Sequence, residues 1–121
     1  MDILIIDDNE RYLQYMVKQL NVGNHRIMTE TDFKKAIERC RVEEYDAVII
    51  DLVMNGINGI ELLRRIKSHN RIKSTLFIVT NSYSTEQHDE VRRYGGLAVS
   101  EKYLTAETFN RLIGPKISGR E

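Results

Sequence analysis

The stretch Tyr45-Asp46-Ala47-Val48-Ile49-Ile50-Asp51-Leu52-Val53-Met54-Asn55-Gly56 decides how this chain of 121 residues is read. Ala47 to Ile50 form an apolar, mostly β-branched run that meets a carboxylate, and Asn-Gly turn chemistry follows. Such a run predicts a strand buried on both faces, the habit of a parallel sheet. Asp51 then falls at the carboxyl end of a central strand, where open α/β sheets place their ligand sites. Asp is also a favoured turn and helix-cap residue. On this stretch alone, a binding role and a turn role stand side by side.

Two more apolar runs have the same form. Ile3-Leu4-Ile5-Ile6 closes on Asp7-Asp8-Asn9, and Leu76-Phe77-Ile78-Val79 closes on Thr80-Asn81-Ser82. Arg26 to Glu30 is a more polar strand candidate, suited to a sheet edge, and Leu97-Ala98-Val99 is a short last one. Helical spacing separates them. Leu13, Met16, Val17 and Leu20 make one stripe, ending near Asn21-Val22-Gly23; Phe33, Ala36, Ile37 and Cys40 make a second. Ile60, Leu62, Leu63 and Ile66 make a third, entered through Asn58-Gly59. From Ser84 to Tyr94 the chain is helical in propensity but has Val91 as its one aliphatic residue, so few buried contacts hold it. A last helix is expected from about Thr105 to Ile113, with Gly114 to Glu121 as a C-terminal tail or the start of a linker. The order is β-α five times over, which predicts an α/β domain over residues 1–113 with one parallel sheet between two helical layers.

Composition narrows the function classes. The chain is 41% hydrophobic and 30% charged, values that suit a folded domain rather than a disordered one. Eighteen basic and eighteen acidic residues cancel, so no basic surplus exists to bind a nucleic-acid backbone or an anionic membrane. The single cysteine, Cys40, excludes an internal disulfide, suits a reducing compartment, and falls on a core stripe rather than at a reactive position. Met1 is followed by Asp2 and a short apolar run, so neither a secretory leader nor a membrane span is expected, and the cytoplasm is the expected location.

Asp7, Asp8, Asp51, Thr80 and Lys102 all fall at or just past the carboxyl ends of predicted strands. In a parallel sheet those ends share one edge, so the five side chains can meet over one crevice. Three carboxylates there call for a hard cation, and Mg²⁺ takes one or two carboxylates together with waters and a phosphate oxygen. With the Lys102 ammonium and the Thr80 hydroxyl, the set describes a grip on a phosphoryl group, one Asp being free to act as nucleophile.

On these residues the chain resembles a response-regulator receiver domain of two-component signalling, over essentially its whole length from Met1 to Ile113. The matching motifs are Ile3 to Asp8, Asp51 to Met54 through Gly59, Phe77 to Thr80, and Lys102. The resemblance implies a flavodoxin-like (βα)5 fold with sheet order 2-1-3-4-5. It implies that Asp51 accepts a phosphoryl group from a phosphohistidine of a sensor histidine kinase or phosphotransfer protein. Asp7, Asp8, the Asp51 carboxylate and the Val53 carbonyl would bind Mg²⁺, while Thr80 and Lys102 contact the phosphoryl oxygens. Their rearrangement would switch the face made by the fourth helix, fifth strand and fifth helix, where an unidentified protein target docks. Such a domain binds neither nucleic acid nor membrane directly, and it is a signalling phosphoacceptor rather than an enzyme, its own phosphotransfer and dephosphorylation apart.

The chain departs from the family pattern at four places. Asn55 stands where a proline usually follows the loop methionine. Tyr103 stands where a proline usually follows the lysine, and a cis bond before a non-proline residue costs about 3–4 kcal/mol, so this bond is expected to be trans. Val99 replaces the usual switch aromatic. Asn81 replaces a small residue beside the threonine; with Val53 it is expected to impede water and lengthen the life of a phosphorylated form. These departures keep a second reading open, a phosphorylation-independent interaction module on the same fold. A phosphatase of the haloacid dehalogenase type, with the same nucleophile, Thr, Lys and Mg²⁺, lacks its acid/base Asp, since Val53 occupies that position. His25, His69 and His88 lie in polar surroundings and are expected to be solvated, and Tyr83, Tyr94 and Tyr103 are expected near the predicted output face, where a partner surface and helix packing explain them equally well. The sequence is equally compatible with a stand-alone receiver and with a domain excised from a longer regulator.

Overall fold

Five parallel strands form a single sheet in the computed structural model, which describes residues 1–21, 23, 25–69 and 75–118, with residues 115–118 described by their backbone alone. In chain order the elements are β1 (Asp2–Ile6), α1 (Glu10–Leu20), β2 (Arg26–Glu30), α2 (Phe33–Val42) and β3 (Ala47–Asp51). The hairpin strands β4 (Val53–Met54) and β5 (Ile57–Asn58) follow, then α3 (Gly59–His69), β6 (Leu76–Thr80), α4 (Thr85–Arg93), β7 (Gly96–Ala98) and α5 (Ala106–Ser118). The sheet order is β2-β1-β3-β6-β7, which is 2-1-3-4-5 when the strands of the large sheet alone are counted. The polar strand Arg26–Glu30 takes an edge, as its composition predicts, and the opening run is the central β3, buried at every position.

Strand alternation sorts the core into two halves. Leu4, Ile6, Val48, Ile50, Phe77 and Val79 face α2, α3 and α4, where they meet Ala36, Cys40, Leu62, Leu63, Ile66 and Val91. Ile3, Ile5, Ala47, Ile49 and Ile78 face α1 and α5, where they meet Tyr12, Leu13, Met16, Leu20, Phe109 and Ile113. Successive side chains of a strand point to opposite faces, so one apolar run supplies both halves. Removing each Val, Leu, Ile, Phe or Met side chain among them from water stabilises the fold by roughly 1.5–3 kcal/mol.

The helices start where the sequence offers caps. Asn9 accepts a hydrogen bond from the Tyr12 N–H at 3.2 Å, and Asp32 accepts one from Lys34 at 2.8 Å. Ser84 and Gln87 form a reciprocal capping box at the start of α4, which compensates in part for its single buried residue, Val91. The Asn55-Gly56 turn closes the β4–β5 hairpin, a pairing beyond the turn that the sequence predicts. Only Gly56 of the two central residues takes positive φ, at 85°, so the turn is not the type I′ form that needs both.

The end of the last helix differs from expectation. Helix α5 continues past Ile113 to Ser118, through Gly114-Pro115, although Pro115 supplies no N–H to the helical ladder. Helix α1 ends at Leu20 with Asn21 as its C-cap, in keeping with the expected end near Asn21; Val22, and Gly119 to Glu121 of the expected tail, lie outside the described residues.

Candidate functional site

The alternation that divides the core also aims the site. Asp7 shares the parity of Ile3 and Ile5, Asp51 that of Ala47 and Ile49, and Thr80 that of Ile78, so all three leave the sheet on the α1/α5 face. Pairing of β3 with β6 puts Asp51 directly beside Thr80, and the Leu52 N–H donates to the Thr80 carbonyl at 3.0 Å. Asp7, Asp51 and Thr80 are all buried.

Lys102 arrives from the loop between β7 and α5. Its Nζ lies 3.3 Å from Asp51 Oδ2 and 3.4 Å from Asp7 Oδ2. Burial pulls the Lys102 ammonium down, and the Asp7 and Asp51 carboxylates more than offset this, so its pKa is raised. Asp7 moves the same way for another reason. Burial pushes its carboxyl up to about 6, against the hydrogen bond that its Oδ1 accepts from the Asn9 N–H at 2.8 Å. Thr80 Oγ1 lies 3.4 Å from the Ile50 carbonyl, a weak bond, and also faces the Tyr12 hydroxyl.

Asp8 is exposed and held differently. Its Oδ2 accepts a hydrogen bond from the Asn55 N–H at 2.8 Å, which ties the acidic pair to the loop after Asp51. A proline at position 55 has no N–H to give. The departure at this position therefore creates a contact that the usual residue lacks.

Asp7 Oδ2 and Asp51 Oδ1 are buried with no hydrogen-bond partner. Asp7 Oδ2 still has the Lys102 ammonium at 3.4 Å, but Asp51 Oδ1 has no partner, and since buried acceptors are nearly always satisfied this oxygen asks for a ligand. Among the described residues no three His, Cys, Asp or Glu side chains are arranged to hold a metal by themselves. That is compatible with Mg²⁺, which keeps waters and shares phosphate oxygens rather than sitting in an all-protein cage. Asp7, Asp51 and, beside them, Asp8 offer the oxygen ligands it prefers. Val53, whose side chain is exposed, has only its backbone carbonyl to contribute.

Sequence reasoning missed Tyr12. It is buried, its hydroxyl donates to the Lys102 carbonyl at 2.7 Å, and the Lys102 ammonium lies 4.9 Å from its ring centroid. The signal was present, since Tyr12, Met16 and Leu20 repeat at four-residue spacing on the inner face of α1. Tyr103 follows the helix-packing reading, whereas two histidines settle differently from expectation. Tyr103 packs edge-on against Tyr12 and Tyr15 of α1, with both centroid distances 5.3 Å. His88 is half-buried, its Nε2 2.8 Å from the Ser82 carbonyl, and His25 stands edge-on to Phe109. Neither ring is simply solvated. The Lys102–Tyr103 bond is trans as expected, no described peptide bond being cis.

The family model of the response regulator receiver domain matches residues 3–111. The chain belongs to this family. The receiver domain is a signalling module of response regulators, which places this chain in two-component signalling. The response regulator ArlR of Staphylococcus epidermidis is 29% identical over 90 residues, a match that covers 74% of this chain and 39% of that protein. The receiver domain thus spans about two fifths of the length of the curated relatives it matches. A two-component response regulator from Clostridium difficile superposes with a TM-score of 0.85 at 17% identity, covering 100% of this chain and 98% of the other. One from Cytophaga hutchinsonii gives 0.85 at 20% identity, covering 97% and 96%. At such identities the structural likeness carries the fold. No helix among the described residues is long and apolar enough to cross a membrane.

Proposed function

We propose that this receiver is a working phosphoacceptor and that Asp51 is its acceptor. A carboxylate oxygen of Asp51 attacks the phosphorus of a phosphohistidine on a sensor histidine kinase or phosphotransfer protein. The P–N bond breaks, its electron pair stays on the imidazole, and an acyl phosphate forms on Asp51. Asp7, Asp8, the Asp51 carboxylate and the Val53 carbonyl would hold Mg²⁺, which when bound neutralises charge on the phosphoryl oxygens. Lys102 and Thr80 take the remaining oxygens through an ammonium and a hydroxyl. The change at Thr80 and Lys102 then alters the face formed by α4, β7 and α5, where a protein target docks. On this reading residues 1–113 are the receiver, residues 114–121 a tail or the start of a linker, and the setting is cytoplasmic. Neither turnover of a separate substrate nor direct binding to nucleic acid or membrane is part of the role.

The observation that carries the reading is the convergence of two buried carboxylates, Asp7 and Asp51, on the Lys102 ammonium, with Asp51 Oδ1 left without a partner. Fold cohesion does not call for such an arrangement, because unpaired buried carboxylate oxygens cost stability. A response regulator of like fold from Burkholderia pseudomallei carries a phosphorylated aspartic acid and a calcium ion, which supports the same chemistry here. Acetyl phosphate with Mg²⁺ tests it. One phosphoryl group is expected on the intact protein by mass, and none when the metal is chelated before acetyl phosphate is added or in Asp51→Asn. Incorporation that survives Asp51→Asn, or none in the wild type, overturns the assignment and favours the phosphorylation-independent interaction module.

A further inference from the structure

Lys102 reaches two buried carboxylates from a segment that belongs to neither strand nor helix. A lysine side chain has four rotatable bonds, and loop backbone without ladder hydrogen bonds does little to fix its root. Something has to hold this residue at both ends, and the structure shows one side chain that does so. Tyr12 donates its hydroxyl to the Lys102 carbonyl at 2.7 Å, which fixes the root. The face of the same ring lies beneath the ammonium at 4.9 Å, which favours the extended side chain over the Asp7–Asp51 crevice. Tyr12 is itself rigid. It is 3% exposed on the inner face of α1, and Tyr103, the residue after Lys102, stacks edge-on against it. Tyr15 receives the same Tyr103 ring at 5.3 Å, so the loop is docked on α1 by two aromatic contacts and one hydrogen bond.

We propose that Tyr12 is a positioning residue for Lys102, holding its carbonyl by the phenol and its ammonium by the ring so that the lysine stands ready over Asp51. Tyr12 touches no reacting atom itself, although its hydroxyl also faces the Thr80 side chain, so a Lys102→Ala background separates an effect through Lys102 from one through Thr80. The kinetic part of the proposal rests on Asp51 being the phosphoacceptor; the positioning part does not.

The two parts are tested separately. Lys102 side-chain order in the metal-free protein is read by NMR of its ε-methylene and ammonium groups, assigned with Lys102→Arg. Tyr12→Phe deletes the hydroxyl alone, and Tyr12→Leu deletes the ring as well; far-ultraviolet circular dichroism checks that both variants are folded. Order at Lys102 is expected to fall slightly in Tyr12→Phe and strongly in Tyr12→Leu. Unchanged order in both overturns the proposal. Phosphorylation by acetyl phosphate and Mg²⁺ is then timed in the wild-type and Lys102→Ala backgrounds. Tyr12→Phe is expected to slow it about 2- to 10-fold, the worth of one hydrogen bond, and Tyr12→Leu further. In the Lys102→Ala background both substitutions are expected to have no effect, because the residue they act through is gone. An equal slowing in both backgrounds marks a merely structural tyrosine and overturns the proposal. A wild type that takes no phosphoryl group while Lys102 loosens in Tyr12→Leu removes the phosphoacceptor reading and leaves the positioning role supported.

Discussion

Asp7 is the residue at which stability and site chemistry oppose each other. Its folded-state pKa is raised by burial from the ordinary 3.8 to about 6. Between those values the folded chain keeps the proton and the unfolded chain has released it, so stability falls as pH rises through that window. Above it, ionised Asp7 costs up to about 3 kcal/mol relative to the unfolded chain. Asp7→Asn keeps an acceptor for the Asn9 N–H and removes the charge. In metal-free buffer at pH 7 it is expected to stabilise the domain by about 2 kcal/mol, part of the gain being lost with the Lys102 contact. Urea denaturation from pH 4 to pH 8 checks this; a variant less stable than wild type at pH 7 contradicts it. Asn81 is the second residue with a consequence. Its φ of 66° is left-handed, a conformation that Asn tolerates and glycine adopts without strain. Asn81→Gly therefore removes the side chain beside Thr80 at no backbone cost, a cleaner probe than alanine. It is expected to speed autodephosphorylation severalfold, and an unchanged lifetime rejects the idea that Asn81 holds water away.

At the scale of elements, the decisive contact is the start of α3 against the end of β3. The Gly59 N–H donates to the Leu52 carbonyl at 2.7 Å, and a Cβ at this position would collide with the Asp51 carbonyl and the Leu52 Cα. Glycine is needed here for close approach rather than for an unusual φ. Gly59→Ala is expected to destabilise the domain by about 1–3 kcal/mol and to slow phosphorylation, because relief of the clash shifts the backbone that carries Asp51. Thermal melts and acetyl phosphate kinetics check both effects; wild-type values for each contradict the account. The β4–β5 hairpin adds a second restraint on the same loop, since Asn55 of its turn bonds to Asp8.

Across the whole molecule, cohesion is uneven. Helix α3 buries five residues and α1 four, whereas α4 buries Val91 alone. Local opening follows the amount of buried apolar contact, so α4 is expected to open first. Hydrogen exchange should show the α4 amides exchanging well ahead of those of α1 and α3, and comparable protection in α4 contradicts the prediction. This loosely held helix borders β7 and the Ser82–His88 contact, on the side of the sheet where the docking face is proposed.

Much of this was legible in the residues themselves. The apolar runs ending at Ile6, Ile50 and Val79 fix buried strands, and their parity fixes on which face Asp7, Asp51 and Thr80 emerge. Periods of 2 and 3.6 are local properties, and a sequence carries local properties openly. The Tyr12 hydroxyl on the Lys102 carbonyl joins residues 90 positions apart, and the Asn55 N–H on Asp8 joins residues 47 apart. No local period records either one. Each exists because the sheet order sets the β1 and β3 loops side by side and brings the loop after β7 over α1, and a loop hydrogen bond depends on backbone positions that only the assembled sheet supplies. The sequence by itself determined the five-unit α/β fold and the acidic, threonine and lysine set. Assembly of the fold decided what holds the lysine, what ties Asp8, and that Asp51 Oδ1 remains without a partner.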